Sequence, residues 1–337
     1  MKALASSVVR LTSKGADHGY LYLVDFDTEA FKPVLKWSDE NIDWEGRGGD
    51  RGLRGIAFYK EHIIVASGKQ ILFLNSNYTI EHIFNHPFLG DIHELFVDGN
   101  TLYITSTLYD LILALDLDKL EFTNGYFIIS KTSKPAYQKL FHKKWIAFRK
   151  KILYPINTQS IAGRFKFSKI DLYEHVAVPN TNGTGIHINT VFIWKNTICF
   201  TGTQHNILYG IVDGSLQSMG TIPFGTHNVK PLNDKRLMLN YTLDESIIIT
   251  NWKGFKKDKY PIYYNKENIT GNYASNYAKA GWGRGLDVKE NYFIAGCSPA
   301  TVNLYKFGNK KPITSIQFDT DIRNSIHGLA FLPDNFS

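Results

Sequence analysis

The sequence predicts an all-β protein, a six-bladed β-propeller formed as one domain by residues 1–337. Three observations support this prediction. Most of the chain reads as short strands rich in Ile, Val, Tyr, Phe and Thr, separated by turn pairs such as Asn-Gly and Asp-Gly. A short segment that begins with His or Arg recurs six times. The two ends of the chain together supply one further set of four strands.

The composition narrows the class of protein. With 337 residues, 43% hydrophobic and 14% aromatic, the chain can bury a large core, which excludes a mainly disordered protein. Cys199 and Cys297 are the only cysteines, so a disulfide framework and a cysteine zinc ribbon are excluded. The sequence has no uninterrupted stretch of about 18 apolar residues, so it predicts no membrane span. Because Ala3–Val9 is too short for a secretion signal, we expect a cytoplasmic protein.

Strands with this spacing occur in sandwiches, barrels and propellers, and an internal repeat distinguishes among these folds. The predicted strands between the two ends include His62–Ser67, Gln70–Leu74, Thr101–Thr107, Leu111–Leu117, Thr197–Gly202, Ile207–Val212, Arg236–Tyr241, Ser246–Asn251, Tyr292–Gly296 and Thr301–Phe307. The copies of the repeat begin at Arg54, His93, His187, His227, Arg284 and His327. An apolar residue stands third in every copy except one, which has Asn189.

The distances between these copies fit propeller blades. Intervals of 39, 40 and 43 residues match a four-stranded blade of about 40–50 residues. The interval of 94 residues between the second and third copies leaves two interpretations, a seventh blade or an insertion. We favour the insertion, because Lys131–Pro155 has helical rather than strand character.

The two ends of the chain predict how the ring closes. Three strands are predicted before the first copy of the repeat, at Ala3–Val9, Gly19–Phe26 and Phe31–Trp37. One strand, Ile326–Leu332, is predicted at the last copy. The C-terminal strand would be the innermost strand of a shared blade, with the three N-terminal strands outside it. Such mixed closure leaves no free sheet edge where the ends meet.

A basic, partly helical insertion is predicted around residues 131–182. Apolar residues from Tyr137 to Ile152 follow helical spacing, and lysines and arginines occupy much of the remainder. This helix could pack on the propeller with a solvated basic face, or residues 136–154 could dock a protein partner, an anion or a membrane surface. The net charge of +7 favours anionic partners, but its pattern does not favour a nucleic acid.

The first residues of the six copies should converge on the propeller axis, because innermost strands line the central channel. We predict a divalent transition metal there, zinc or iron, held by His93, His187 and His227 from separate blades, with His327 as a fourth ligand. A channel without metal is the alternative, because a single His in such a strand commonly serves as a hydrogen-bond donor. The lack of an acidic residue at these positions argues against calcium.

Arginines at two of the six positions predict an anionic substrate. Arg54 and Arg284 carry planar forks that suit a carboxylate, sulfate or phosphate, although ion pairs between blades would explain them equally well. A glycine-rich loop precedes Arg54 and allows the backbone to approach a ligand closely, and a polar, aromatic loop precedes Arg284. The predicted substrate-binding residues of these two loops are Arg47, Asp50, Arg51 and Trp282.

Four segments carry a family resemblance. They are Asp91-Ile-His93-Glu-Leu, Ile186-His187-Ile-Asn189, Thr226-His227-Asn and Gly283-Arg284-Gly-Leu. They resemble the repeated signatures of an uncharacterised bacterial family of predicted six-bladed β-propellers, over most of residues 50–333. The resemblance implies a fold rather than an activity, and the segment from Lys131 to Asn182 departs from the family pattern.

The composition of the site also resembles that of the peptidyl-hydroxyglycine amidating lyases, which share the six-bladed plan. Those enzymes hold zinc with three histidines from separate blades. By this analogy of architecture, His93, His187 and His227 would be ligands, and Arg54 and Arg284 would bind or polarise substrate. No further linear motif matches.

Two functions remain open from the sequence. One is a metal-dependent enzyme, a lyase or hydrolase, that acts on a small anionic molecule at the channel mouth. Its metal would acidify a water or substrate oxygen, Arg54 and Arg284 would fix the anionic group, and His327 would be the acid–base group. The other is a propeller scaffold without catalysis that binds a protein or glycan.

Overall fold

The computed structural model describes residues 1–13, 15–38, 52–130, 165–170, 185–271 and 278–336. In chain order the strands are β1 (Lys2–Val9), β2 (Gly19–Asp25), β3 (Ala30–Trp37), β4 (Leu53–Tyr59), β5 (His62–Ser67), β6 (Gln70–Leu74), β7 (Ile80–Asn85), β8 (Ile92–Asp98), β9 (Thr101–Ser106), β10 (Leu111–Asp116), β11 (Glu121–Ser130), β12 (Phe165–Ile170), β13 (Ile188–Trp194), β14 (Thr197–Gly202), β15 (Ile207–Val212), β16 (Ser215–Thr221), β17 (Thr226–Asn233), β18 (Arg236–Tyr241), β19 (Ser246–Thr250), β20 (Lys256–Pro261), β21 (Arg284–Lys289), β22 (Tyr292–Cys297), β23 (Thr301–Lys306), β24 (Thr314–Gln317) and β25 (Asn324–Phe331).

These strands form six antiparallel sheets, which are the six predicted blades. Five blades have the strand orders β4-β5-β6-β7, β8-β9-β10-β11-β12, β13-β14-β15-β16, β17-β18-β19-β20 and β21-β22-β23-β24. The innermost strands contact one another in chain order, and β25 contacts β4, so that the ring is closed. We number the blades 1 to 5 in this order. The prediction of an all-β, six-bladed propeller is confirmed.

The sixth blade joins the two ends of the chain, as predicted. Its strand order is β25-β1-β2-β3, with β25 innermost. Strand β25 pairs with β1 along its length, from Ala3 opposite Phe331 to Val9 opposite Asn324. All eight residues of β25 are buried, because this strand lies between its own sheet and its two neighbouring blades.

The hydrophobic core lies between the blades. One cluster joins blade 1 to blade 2 through residues such as Ile64 and Phe73 on one side and Leu102 and Leu113 on the other. Buried residues recur along the middle strands of each sheet, because both faces of a blade pack against neighbouring blades. This arrangement explains why the middle strands are almost wholly apolar, whereas outer strands such as β20 are largely exposed.

The predicted insertion is described only in part. Residues 165–170 form β12, which pairs with β11 as a fifth strand of blade 2, so this portion of the partly helical prediction is a strand. The helix predicted between Tyr137 and Ile152, and the docking segment 136–154, lie outside the described residues. Within the part of the chain that is described, no helix is long and apolar enough to cross a membrane.

Candidate functional site at the channel mouth

Each innermost strand carries a β-bulge in its first half. In blade 1, for example, Leu53 pairs with Ser67 and Ile56 with Val65, so two residues of β4 face one residue of β5. Bulges of this kind redirect side chains and are common beside active sites. The first bulge residues of the six blades form what we call the bulge ring: Arg54, His93, Asn189, His227, Arg284 and His327.

The bulge ring corrects the predicted alignment of the repeat in blade 3. His187 was placed at this position, but strand pairing puts Asn189 there, because Ile188 pairs with Gly202 and Thr190 with Thr201. His187 lies two residues earlier, where blade 2 has Asp91. The alignment relied on residue type, and residue type does not reveal which residues of two strands are paired.

Asp91 and His187 share an unusual backbone conformation. Their φ angles are 47° and 58°, in the left-handed region, where blades 1 and 4 use Gly52 and Gly225. A side chain in this region costs about 1–2 kcal/mol, which glycine avoids. Residues held in such conformations are concentrated at functional sites. Asp91 and His187 thus have strained backbones at equivalent positions of two adjacent blades. Both are residue types that can bind a metal.

His93 lies at the centre of the imidazole cluster. Its ring centroid is 5.2 Å from that of His187, 5.6 Å from His327 and 6.5 Å from His227. Donor atoms of Asp91, His93 and His187 all lie within 4.8 Å of one another, close enough to hold one metal ion. Two imidazoles and a carboxylate suit zinc or ferrous iron. The structure therefore brings the predicted histidines together and adds Asp91 to them.

Hydrogen bonds fix which nitrogen of two imidazoles carries the proton. The Thr242 hydroxyl donates to the Gly283 carbonyl over 2.8 Å, so it accepts a hydrogen bond from Nδ1 of His227, 2.9 Å away. The Thr107 hydroxyl donates to the Ile188 carbonyl and lies 2.9 Å from Nδ1 of His93. In both rings Nδ1 carries hydrogen, so Nε2 keeps its lone pair for a ligand. The Nε2 atom of His227 is buried, and no described residue forms a hydrogen bond with it.

Three arginines surround these imidazoles. Arg54 is 7% exposed and forms an ion pair with Asp91, and its Nη1 also donates to the Ile92 carbonyl over 3.2 Å. Arg284 and Arg10 stand near the Trp282 ring, with their guanidinium carbons 5.8 Å and 5.4 Å from its centroid. Trp282 thus lies at the mouth, but its described contacts are with protein cations.

Arg10 is a site residue that the sequence analysis missed. It follows β1 in blade 6, and its Nη2 lies 3.4 Å from Nε2 of His327. A guanidinium has no acceptor, so His327 accepts this hydrogen bond and its Nε2 lone pair is engaged. This contact favours the other histidines over His327 as metal ligands. The predicted closure of blade 6 could have located Arg10, because it pairs the strand that ends at Val9 with the strand that carries His327.

Burial and like charges decide the ionisation of the cluster. Burial, aided by the nearby arginines, lowers the pKa of His93, His187, His227 and His327 below the ordinary value, which favours neutral imidazoles that can bind metal. Burial and Arg54 lower the pKa of Arg10 to about 10, and burial with both other arginines lowers that of Arg284. Burial opposes ionisation of Asp91, but the positive charge of Arg54, with which it forms an ion pair, lowers its pKa.

A second polar layer lies one residue deeper. The Asn228 side chain donates to Glu94 over 3.2 Å and accepts from the Gly285 backbone N–H over 2.9 Å, which links blades 2, 4 and 5. Burial raises the pKa of Glu94 to about 7, although Lys230 lies 4.0 Å from its carboxylate. Glu94 and Asn228 therefore form hydrogen bonds that hold three blades together next to the channel mouth.

Three predicted substrate-binding residues, Arg47, Asp50 and Arg51, lie outside the described residues. Cys297 is fully buried in β22 within a hydrophobic cluster, where it serves as a small apolar side chain.

The chain was compared with known proteins. No family model matches it, and no curated protein matches it. A protein of unknown function from Bacteroides caccae has a similar structure, with a TM-score of 0.51 and 10% identity over 97% of this chain and 97% of that chain. The computationally designed Ika8 protein gives a TM-score of 0.48 at 8% identity, covering 98% of this chain and 92% of that chain. The C-terminal WD40 domain of Sif2 gives 0.49 at 8% identity, covering 99% and 97%.

At this identity the likeness to the Bacteroides caccae protein concerns the fold alone. It carries no information on activity. What the chain shares with that protein is therefore its overall fold.

Proposed function

We propose that the protein is a metal-dependent enzyme, a lyase or hydrolase, that acts on a small anionic molecule at the channel mouth. One observation carries this proposal: donor atoms of Asp91, His93 and His187 lie within 4.8 Å of one another, beside the buried guanidinium of Arg54. The donor set suits a divalent transition metal, zinc or iron. The resemblance to the uncharacterised propeller family and the analogy with the amidating lyases are consistent with this proposal.

Each group at the mouth has a role in this proposal. Asp91, His93 and His187 would hold the metal, and His227, whose ring lies 6.5 Å from that of His93, would be a further ligand through Nε2. A bound metal would lower the pKa of a water or of a substrate oxygen. Arg54, Arg284 and Arg10 would bind the anionic group. His327 would be the acid–base group, with Arg10 orienting its ring.

The metal content of protein purified without an affinity tag tests this proposal. We expect close to one zinc or iron per chain by mass spectrometry, and a large loss of metal in His93→Ala, His187→Ala and Asp91→Asn. His82→Ala is the matched control, because His82 is an exposed histidine of β7. Full metal occupancy in all three site variants would overturn the ligand assignment, and wild-type protein that takes up no metal would overturn the proposed function.

A scaffold that binds a glycan or protein is a second candidate, favoured by a groove of about 1260 Å³ on the opposite face. The groove is lined by Trp194 and Trp252, whose ring centroids are 5.5 Å apart, and by Lys235 and Arg236. Loss of glycan or protein binding in Trp252→Ala, with the mouth residues intact, would support this candidate. The cytoplasmic location stays a prediction.

A further inference from the structure

The channel mouth contains unbalanced positive charge. Arg54 is paired with Asp91, but in the described part of the chain no carboxylate lies within ion-pairing distance of Arg10 or Arg284. Their described neighbours are the Trp282 ring, which both guanidiniums approach, and His327, which accepts from Arg10. Arg10 and Arg284 are half-buried, and among the described residues the carboxylate that offsets their charge, Asp91, is already paired with Arg54.

The same arginines present unused donors. Within the described residues, three buried nitrogens of these arginines have no hydrogen-bond partner: Nη1 of Arg10, Nε of Arg54 and Nε of Arg284. A buried donor that lacks an acceptor lowers the stability of the fold, and a charged donor lowers it more. The fold keeps several such donors in one place. A ligand that carries multiple acceptor oxygens would satisfy them.

The neighbouring carboxylates do not supply those oxygens. Asp110 accepts the backbone N–H groups of Ile186 and Ile188 with its two oxygens, over 3.1 Å and 3.0 Å. Glu94 accepts from Asn228 in the deeper layer. Among the described residues, Arg10 and Arg284 are therefore left without an ion-pair partner of their own.

We propose that the mouth binds a tetrahedral dianion, the phosphate or sulfate group of a small ester, between Arg10 and Arg284 and against Arg54. A dianion balances both unpaired guanidiniums, whereas a carboxylate balances only one. The oxygens of a tetrahedral group point in several directions and can accept from donors of three blades at once, whereas the two oxygens of a carboxylate lie in one plane. This inference names the substrate class of the proposed function and rests on the same site.

Calorimetry and thermal melting with small anions test the inference. Inorganic phosphate, sulfate and acetate are added at constant ionic strength and pH 8, to protein treated with a chelator and to protein loaded with zinc. We expect phosphate and sulfate to bind at least about tenfold more tightly than acetate, since their additional oxygens accept further charge-assisted hydrogen bonds. Equal affinity for acetate would overturn the inference.

Arginine variants locate the anion. Arg284→Lys keeps the charge but loses the fork, so phosphate binding should weaken by about tenfold, with an unchanged circular dichroism spectrum. Arg236→Lys is the control, because Arg236 is an exposed arginine on the opposite face. In Arg284→Met the repulsion with Arg10 and Arg54 is removed, so the anion-free variant should melt above the wild type and gain nothing from phosphate. Wild-type phosphate affinity in both Arg284 variants would overturn the inference.

The two proposals can fail separately. Phosphate binding by chelator-treated protein that takes up no zinc would support the dianion site and overturn the metal. Zinc binding without any preference for phosphate or sulfate over acetate would support the metal and overturn the dianion site.

Discussion

Two threonine hydroxyls decide which nitrogen of the neighbouring imidazole faces the channel. Thr107 and Thr242 each follow the second strand of their blade, and each donates to a backbone carbonyl of the next blade. The hydroxyl must then accept from Nδ1 of His93 or His227. Such hydrogen bonds orient metal-binding histidines, and their removal typically costs 10- to 100-fold in metal affinity.

Replacement of Thr242 by Val tests this role. We expect Thr242→Val to lower zinc affinity by about tenfold, measured by competition with a chelator, while Thr242→Ser restores it. Thr250→Val is the matched control, because the Thr250 hydroxyl is buried in the same blade and has no hydrogen-bond partner in the part of the chain that the structure describes. If Thr242→Val and Thr242→Ser bind zinc equally well, Thr242 does not orient the ligand.

The backbone at His187 predicts a split between stability and metal binding. Because its φ is 58°, glycine should fit this position better than alanine by about 1 kcal/mol in the free energy of unfolding. His187→Gly should therefore unfold at higher urea than His187→Ala, while both variants lose metal equally. Equal stability of the two variants would show that no strain is held here.

At the scale of elements, the bulge and the closing strand are joined by one side chain. The hydroxyl of Ser6 in β1 donates to the carbonyl of Arg54 in β4, and it accepts the N–H of Gly328 in β25 over 2.9 Å. Ser6 is fully buried, so both groups lose their partner if the hydroxyl is removed. One short side chain therefore links blade 6 to blade 1 beside two residues of the bulge ring.

We expect Ser6→Ala to lower the free energy of unfolding by about 1–3 kcal/mol, the cost of buried groups left without hydrogen bonds. Urea denaturation followed by tryptophan fluorescence measures this change. Ser76→Ala, in an exposed turn, should have no effect and serves as the control. If Ser6→Ala lowers the free energy of unfolding no more than Ser76→Ala does, a water molecule replaces the Ser6 hydroxyl and the prediction is wrong.

At the scale of the whole molecule, the ring depends on its last strand. Strand β25 contacts β1 in its own blade, β21 in blade 5 and β4 in blade 1. It also carries His327 into the bulge ring. The closure therefore couples the stability of the fold to the geometry of the site, since both use the same strand.

Deletion of residues 326–337 should abolish cooperative unfolding, because it exposes the faces of two blades and opens the ring. A milder variant, Ile326→Ala, should lower the free energy of unfolding by about 2–5 kcal/mol, since Ile326 is fully buried. Removal of Ser337 alone is the control for the deletion. Thermal melting at the wild-type temperature in both the deletion and the Ile326 variant would show that the strand is dispensable.

The sequence alone was sufficient to predict the architecture. Alternating strands, turn pairs and the recurring His or Arg segment report local conformation and repeat length, which depend on neighbouring residues. The same pattern located five of the six bulge-ring residues. In blade 3 it pointed to His187 instead of Asn189. Mixed closure of blade 6 also followed, because the number of strands at each end could be counted.

The contents of the site were decided by the tertiary structure. Arg10 reaches His327 across 317 positions, and Ser6 reaches Gly328 across 322, so no local pattern could show either contact. The shift from His187 to Asn189 depends on strand pairing, and the two unpaired guanidiniums depend on which carboxylates lie nearby. Sequence determines strand content because propensity and periodicity are local, whereas the charge, tautomers and donor set of the mouth arise only where six blades converge.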